Sequence, residues 1–112
     1  MEIIKKNQSQ VFNYDTITAY EYASKNKYIN IGLVKINGRY PKQNFIINQD
    51  VTELIYIIDG SVQLTTDSEQ YSLSSGDVVI ISPKEKYFFK GNCTVLTPCT
   101  PPWTPEQTKI IK

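Results

Sequence analysis

What this chain lacks narrows its chemistry first. It has no histidine, which removes the commonest transition-metal ligand and the commonest general acid–base group in one step. Every Ser-His or Cys-His nucleophile goes with it. The two cysteines, Cys93 and Cys99, are too few for a disulfide framework and read as small, buried, reduced thiols. A zinc site would have to draw its ligands from Cys, Asp and Glu alone. No metal and no cofactor is therefore expected.

Four kinds of side chain remain. Glu53 heads an apolar run, and a carboxylate is seldom buried without a partner. It reads as a general base, as a ligand anchor, or as half of an internal ion pair. Arg39, beside Tyr40, is the single arginine against eleven lysines. Its planar fork suits a carboxylate or phosphate of a ligand, or a salt bridge within the protein, Glu53 being one partner. Asn48 offers an amide. Trp103 could stack on a sugar ring, or hold down the tail in which it lies. Lys84, Lys86 and Lys90 read as a solvated rim.

The elements that must position these groups are strands. Residues 53–64, ELIYIIDGSVQL, set Asp59-Gly60 between two apolar, β-branched runs, and the spacing predicts a hairpin with its turn there. A second turn falls at 65–69, a strand at 70–74, a turn at 74–77 and a strand from Val78 to Ser82, ended by Pro83. Earlier, 10–14 and 17–22 read as short strands and 24–27 as a polar break with room for a short helix. Residues 28–37 read as a strand whose change of parity near Gly32 suggests a bulge. Asn37-Gly38 and Gly91-Asn92 read as turns, 44–48, 87–89 and 93–97 as strands. Pro98, Pro101, Pro102 and Pro105 rule out regular structure in the tail. Strands 53–58 and 78–81 are apolar on both faces, so both faces should be covered, by a second sheet, by the N-terminal strands or by another subunit. Eight to ten short strands without helical periodicity predict an all-β sandwich or barrel.

With 112 residues and a formal net charge of +1, the chain reads as one domain with no field favouring nucleic acid or an anionic membrane. Residues 1–8 form a loose N-terminus and 98–112 a tail. No stretch approaches the length of a membrane span, and MEIIKKNQSQ has no apolar core of a secretory signal. A cytoplasmic location is the expectation.

Two stretches carry a resemblance. Gly38, Glu53 and Gly60 in GRYPKQNFIINQDVTELIYIIDG, and Gly76, Asp77, Pro83 and Asn92 in GDVVIISPKEKYFFKGN, resemble the two motifs of the cupins, small jelly-roll β-barrels. With CTPPWTPEQ near the end, the chain is similar to small stand-alone cupins that lack the metal-binding histidines. The resemblance implies an all-β, cupin-like jelly-roll barrel, with Glu53 and Tyr87 pointing inward, and a homodimer. It puts the first motif's two His positions on Ile46 and Asn48, or on Ile47 and Gln49, and the second motif's on Tyr87. Of four metal ligands only Glu53 remains, so the family's metal-dependent activities are not expected. The reading that results is a metal-free binding module for a small polar or anionic metabolite, fixed by Arg39, Tyr40, Asn48, Glu53, Tyr87 and Trp103. One alternative is a metal-independent sugar isomerase or epimerase with Glu53 as base and Tyr87 as acid. The other is a dimerisation module with a filled barrel. An open cavity in which Glu53 faces the Tyr87 hydroxyl would favour the enzyme.

Overall fold

The structure is a computed structural model that describes residues 1–111. Among these it has nine strands and no α-helix: β1 (Gln10–Tyr14), β2 (Ile17–Tyr22), β3 (Asn30–Tyr40), β4 (Phe45–Asn48), β5 (Thr52–Thr65), β6 (Gln70–Ser74), β7 (Val78–Ile81), β8 (Phe88–Thr100) and β9 (Thr108–Ile111). A seven-stranded antiparallel sheet runs in the order β1-β2-β3-β8-β5-β6, with β7 also on β5. The small β4-β9 sheet joins it through a bridge between Ile46 and Tyr87. The architecture is the all-β, jelly-roll-like cupin fold.

Three expected turns are not turns. Asn37-Gly38 lies inside β3, Asp59-Gly60 inside β5 and Gly91-Asn92 inside β8. They fall on one line across three neighbouring strands: Gly38 pairs with Gly91, and Gly91 pairs with Val62, two residues from Gly60. This line is a corner at which three long strands bend together. The positive φ expected at Asp59-Gly60 is found at Gly60 but not at Asp59, and it serves no turn. Gly60 has φ +83°, as a tight turn would require. It uses that freedom in a bulge, where the β5–β8 register shifts between Ile57 and Asp59. A Cβ on Gly60 would meet the backbone of Asn92 and Cys93, and one on Gly91 the backbone of Ser61 and Val62. The two strands touch main chain to main chain. Only one half of the long ribbon ends in a true hairpin, β5–β6, turned by 66–69.

The bulge expected near Gly32 is absent: β3 keeps one register with both neighbours and one inward parity, Asn30, Gly32, Val34 and Ile36. No helix forms at 24–27; Glu2 instead accepts hydrogen bonds from Ser24 and the Lys25 amide. The tail is more regular than its prolines suggested, because β8 runs through Pro98 and β9 pairs with β4. Its last residue, Lys112, lies outside the described residues.

Inward residues of β2, β3, β5 and β8 form one core, including Ile36, Ile55, Ile57, Leu64 and Val95. The outward face of β5 and β7 is bare in the single chain, with Tyr56 42%, Val78 50% and Ile80 62% exposed. Neither the second sheet nor the N-terminal strands cover it. Register places these residues in an apolar row that crosses five strands, Tyr20, Leu33, Leu96, Tyr56 and Val78.

Candidate functional site

Glu53 opens β5 between Ile81 of β7 and Cys99 of β8, on the inward parity of Ile55 and Ile57. Tyr87 reaches the same place from just before β8. Its backbone is clamped to Ile46 by two hydrogen bonds of 2.9 and 3.1 Å, and its ring packs edge-on against Phe89. The Tyr87 hydroxyl donates to Glu53 Oε1 at 3.2 Å, and the Cys99 thiol donates to Oε2 at 3.5 Å. Burial pushes the Glu53 carboxyl up from 4.5 to about 6; the two donors only partly offset it. Burial and the neighbouring Glu53 hold the Tyr87 hydroxyl well above its ordinary range, so it stays a proton donor. The same two causes keep Cys99 a thiol, which leaves it no nucleophilic role.

These groups face a cavity of about 80 Å³, partly open to solvent. Its walls are mostly apolar, and among the described residues no lysine or arginine lines it. A second carboxylate does. Glu21 of β2 is only 9% exposed, and burial together with the Glu53 charge pushes it up from 4.5 to about 7. Sequence reasoning missed Glu21, although it shares the inward parity of Ile17 and Ala19.

The other expected site residues divide. Tyr40 lines the cavity beside Tyr14, ring centres 6.4 Å apart, and burial, Tyr14 and Glu53 push its hydroxyl up to about 12. Trp103 holds the tail and forms cavity wall at once. Its amide donates to Asn30 Oδ1 at 2.9 Å and its indole N–H to Thr108 Oγ1 at 2.8 Å. Thr108 donates in turn to Asn48 Oδ1 at 2.8 Å, which fixes Asn48 in the wall. Arg39 is not brought to the site. Its guanidinium donates to the carbonyls of Pro41 and Asn44 and lies 3.8 Å over the Phe88 ring. It braces the loop before β4, and neither Glu53 nor an anionic ligand in the cavity has it as a partner.

The sequence profile of the EutQ-like cupin domain matches residues 42–101. The chain belongs to the EutQ-like cupin family. Among curated proteins, this cupin is 31% identical over 64 residues to an uncharacterized protein, MJ1618, of Methanocaldococcus jannaschii. The match takes in 54% of this chain and 51% of that protein, so the cupin spans about half the length of that relative. Solved structures share the fold at low identity. Streptomyces Pac13, described as a nucleoside dehydratase, superposes with a TM-score of 0.87 at 13% identity, covering 100% of this chain and 92% of Pac13. Pac13 has also been solved with uridine. Ectoine synthase from P. lautus superposes at 0.79 and 15% identity, covering 100% and 91% of the two chains.

A cupin metal does not fit the residues here. Ile46 is an apolar, 2%-exposed core residue, and Tyr87 is held as a phenol facing Glu53. Among the described residues no three Cys, Asp or Glu side chains come together as a ligand set. Two carboxylates on separate strands, with a thiol and a phenol that both keep their protons, do not make up the cupin ligand set. Among the described residues no helix is long and apolar enough to cross a membrane.

Proposed function

We propose that this cupin is a metal-independent acid–base enzyme acting on a small, neutral, hydroxylated metabolite of sugar or nucleoside type. The observation that carries the reading is the Tyr87–Glu53 hydrogen bond, made inside a cavity that, among the described residues, no cationic side chain lines. A dry, filled interior would have supported a purely structural module, and an inward Arg39 an anionic ligand. Glu53, raised toward neutrality by its apolar surroundings, is poised as a general base. The Tyr87 phenol, released from Glu53 when ligand enters, supplies a hydrogen bond to a ligand oxygen. Asn48, its carbonyl oxygen taken by Thr108, offers its amide N–H groups, and Tyr40 and Trp103 supply flat faces for a ring. The binding of uridine by a structural neighbour of the same shape supports the substrate class.

Uridine and D-ribose serve as neutral probes, their 5′-phosphates as anionic ones. Titration calorimetry is expected to show the neutral member of each pair binding at least about tenfold more tightly, since the cavity offers a phosphate only like charge. Preference for the phosphates would overturn the ligand class. Glu53→Gln should leave the affinity for uridine within a few-fold. It should also remove at least about 100-fold of any proton transfer to or from bound ligand, read as deuterium exchange by NMR.

We also propose that a second copy of the chain covers the outer apolar face of β5 and β7. The five-strand row of Tyr20, Leu33, Leu96, Tyr56 and Val78 supports this; an uncharged strip of that length is more than a lone domain ordinarily leaves to water. Light scattering at micromolar concentration should give the mass of a dimer, and Ile80→Lys that of a monomer. A monomeric wild-type protein would count against it.

A further inference from the structure

Glu21 has no place in the Glu53–Tyr87 pair, yet it is only 9% exposed, and its carboxyl faces the partly open cavity rather than a protein hydrogen-bond donor. Such a group needs an account, because a buried carboxyl without a partner costs stability. Its position is also unexpected. Glu21 lies on β2 and Glu53 on β5, with β3 and β8 between them. Three strand spacings are about 14 Å, too far for two glutamates to face one small cavity if both stood upright.

Gly32 removes the obstacle. It is the β3 partner of Glu21, and Oε1, Oε2 and Cδ of Glu21 lie 2.6, 2.7 and 2.8 Å from where a Gly32 Cβ would stand. The carboxyl leans across β3 over Gly32, whose lack of a side chain leaves it room, and lines the cavity. Any other residue at 32 would force it upright or out. Glu53 is held by Tyr87 and Cys99. Two acids thus line one cavity, one from β2 and one from β5, and among the described residues no lysine or arginine lines it to neutralise either. The Glu53 charge in the same cavity disfavours ionisation of Glu21, and the enclosed Tyr87, Tyr40 and Cys99 all keep their protons.

We propose that Glu21 and Glu53 form an acid–base pair that eliminates water from a β-hydroxy carbonyl compound, Glu53 as base and Glu21 as acid. This rests on the acid–base reading above and specifies its reaction. The Glu53 carboxylate takes a proton from the carbon beside the carbonyl. That C–H electron pair becomes the new carbon–carbon double bond as the bond from the β carbon to its hydroxyl breaks. The Glu21 carboxyl gives its proton to the departing oxygen, which leaves as water. One proton is taken and one given, no electrons are exchanged with any other reagent, and proton transfer from Glu53 to Glu21 through solvent restores the pair. Isomerisation needs only one base moving a proton between adjacent carbons, and would leave Glu21 and its glycine seat unexplained.

The test uses 2-deoxy-D-ribose, whose open-chain aldehyde carries a C3 hydroxyl and C2 hydrogens, in D₂O, with wild type, Glu21→Gln and Gly32→Ala. Wild type is expected to place deuterium at C2 and to release the unsaturated aldehyde. Glu21→Gln should keep exchange within about threefold and lose elimination by about 100-fold or more. Gly32→Ala, which keeps both acids but displaces Glu21, should fall the same way. Carbon-13 titration of the glutamate carboxyls is the second measurement: the Glu21 midpoint should fall in Glu53→Gln, because the Glu53 charge is part of what raises it. Elimination at the wild-type rate in Glu21→Gln, exchange without elimination in wild type, or a Glu21 midpoint unmoved by Glu53→Gln would each overturn the pair. Absence of exchange by wild type with the midpoint coupling intact would instead remove Glu53 as base, and with it the acid–base reading on which the pair rests.

Discussion

Gly60→Ala should lower the unfolding midpoint by more than about 10 °C, while Gly76→Ala should cost only a few degrees. Both glycines have positive φ, +83° and +92°, a conformation that costs an L-residue about 1–2 kcal/mol. Around Gly76 a new Cβ would meet nothing within 4 Å. At Gly60 it would run into the Asn92 carbonyl and the Cys93 Cα, backbone atoms that cannot swing aside. Separating β5 from β8 there adds about 1–3 kcal/mol of overpacking, at the seam on which the corner depends. A domain of this size loses several degrees per kcal/mol. Thermal melts of the two variants side by side isolate the close approach, and equal losses would refute it.

Stability should fall as pH rises from about 5 to 8, against the usual direction for a carboxylate-bearing protein. Glu53 and Glu21 both hold their protons more tightly folded than unfolded, near 6 and 7 against an ordinary 4.5. Their contribution is whole below about 4.5 and is lost as pH climbs through about 6 and then about 7. For Glu53 the loss amounts to about 2 kcal/mol and for Glu21 to about 3 kcal/mol. Because part of the Glu21 rise comes from Glu53, the two do not add in full. Glu2 works the other way, its carboxyl held low by the Lys25 amide and Ser24. Glu53→Gln and Glu21→Gln should therefore each flatten the decline, and at pH 8 each should be more stable than wild type. Urea titrations at pH 5 and 8 measure this. Parallel pH profiles for wild type and both variants would show that the cavity does not enclose the carboxyls.

That inverted dependence bears on what the cavity is for. Selection for stability alone would replace Glu53 or Glu21 by an apolar residue. Two acids pushed up by burial in one cavity are strain that a reaction can use.

The sequence made the inward side of the barrel legible wherever strands alternate, and the β5–β6 hairpin wherever polar residues cluster. It did not separate a turn from a corner, because both ask for the same backbone angle; only the partner strand across from Gly60 tells them apart. The meeting of Glu53 and Tyr87 was legible through the family resemblance, which places both inward from points 34 residues apart. Glu21 was overlooked because a charged residue at the end of a short strand looks like an exit to solvent, although its parity pointed inward. Arg39 misled through its rarity. A unique arginine announces a demand for a planar fork, and here the carbonyls of Pro41 and Asn44 make that demand.

The shared corner also governs the order of assembly. Among the described residues β8 is the strand that pairs with both β3 and β5, and it joins β3 to residues about 70 positions away, as Asn30 pairs with Cys99. Until residues 88–100 have been synthesised, β3 and β5 are each left with a long unpaired margin and cannot reach each other. A nascent chain stalled short of β8 is thus a pair of hairpins without a body. Its two longest strands are open to any extended segment that comes by. Closing so distant a pairing places folding at the slow, millisecond-to-second end of the range for small domains.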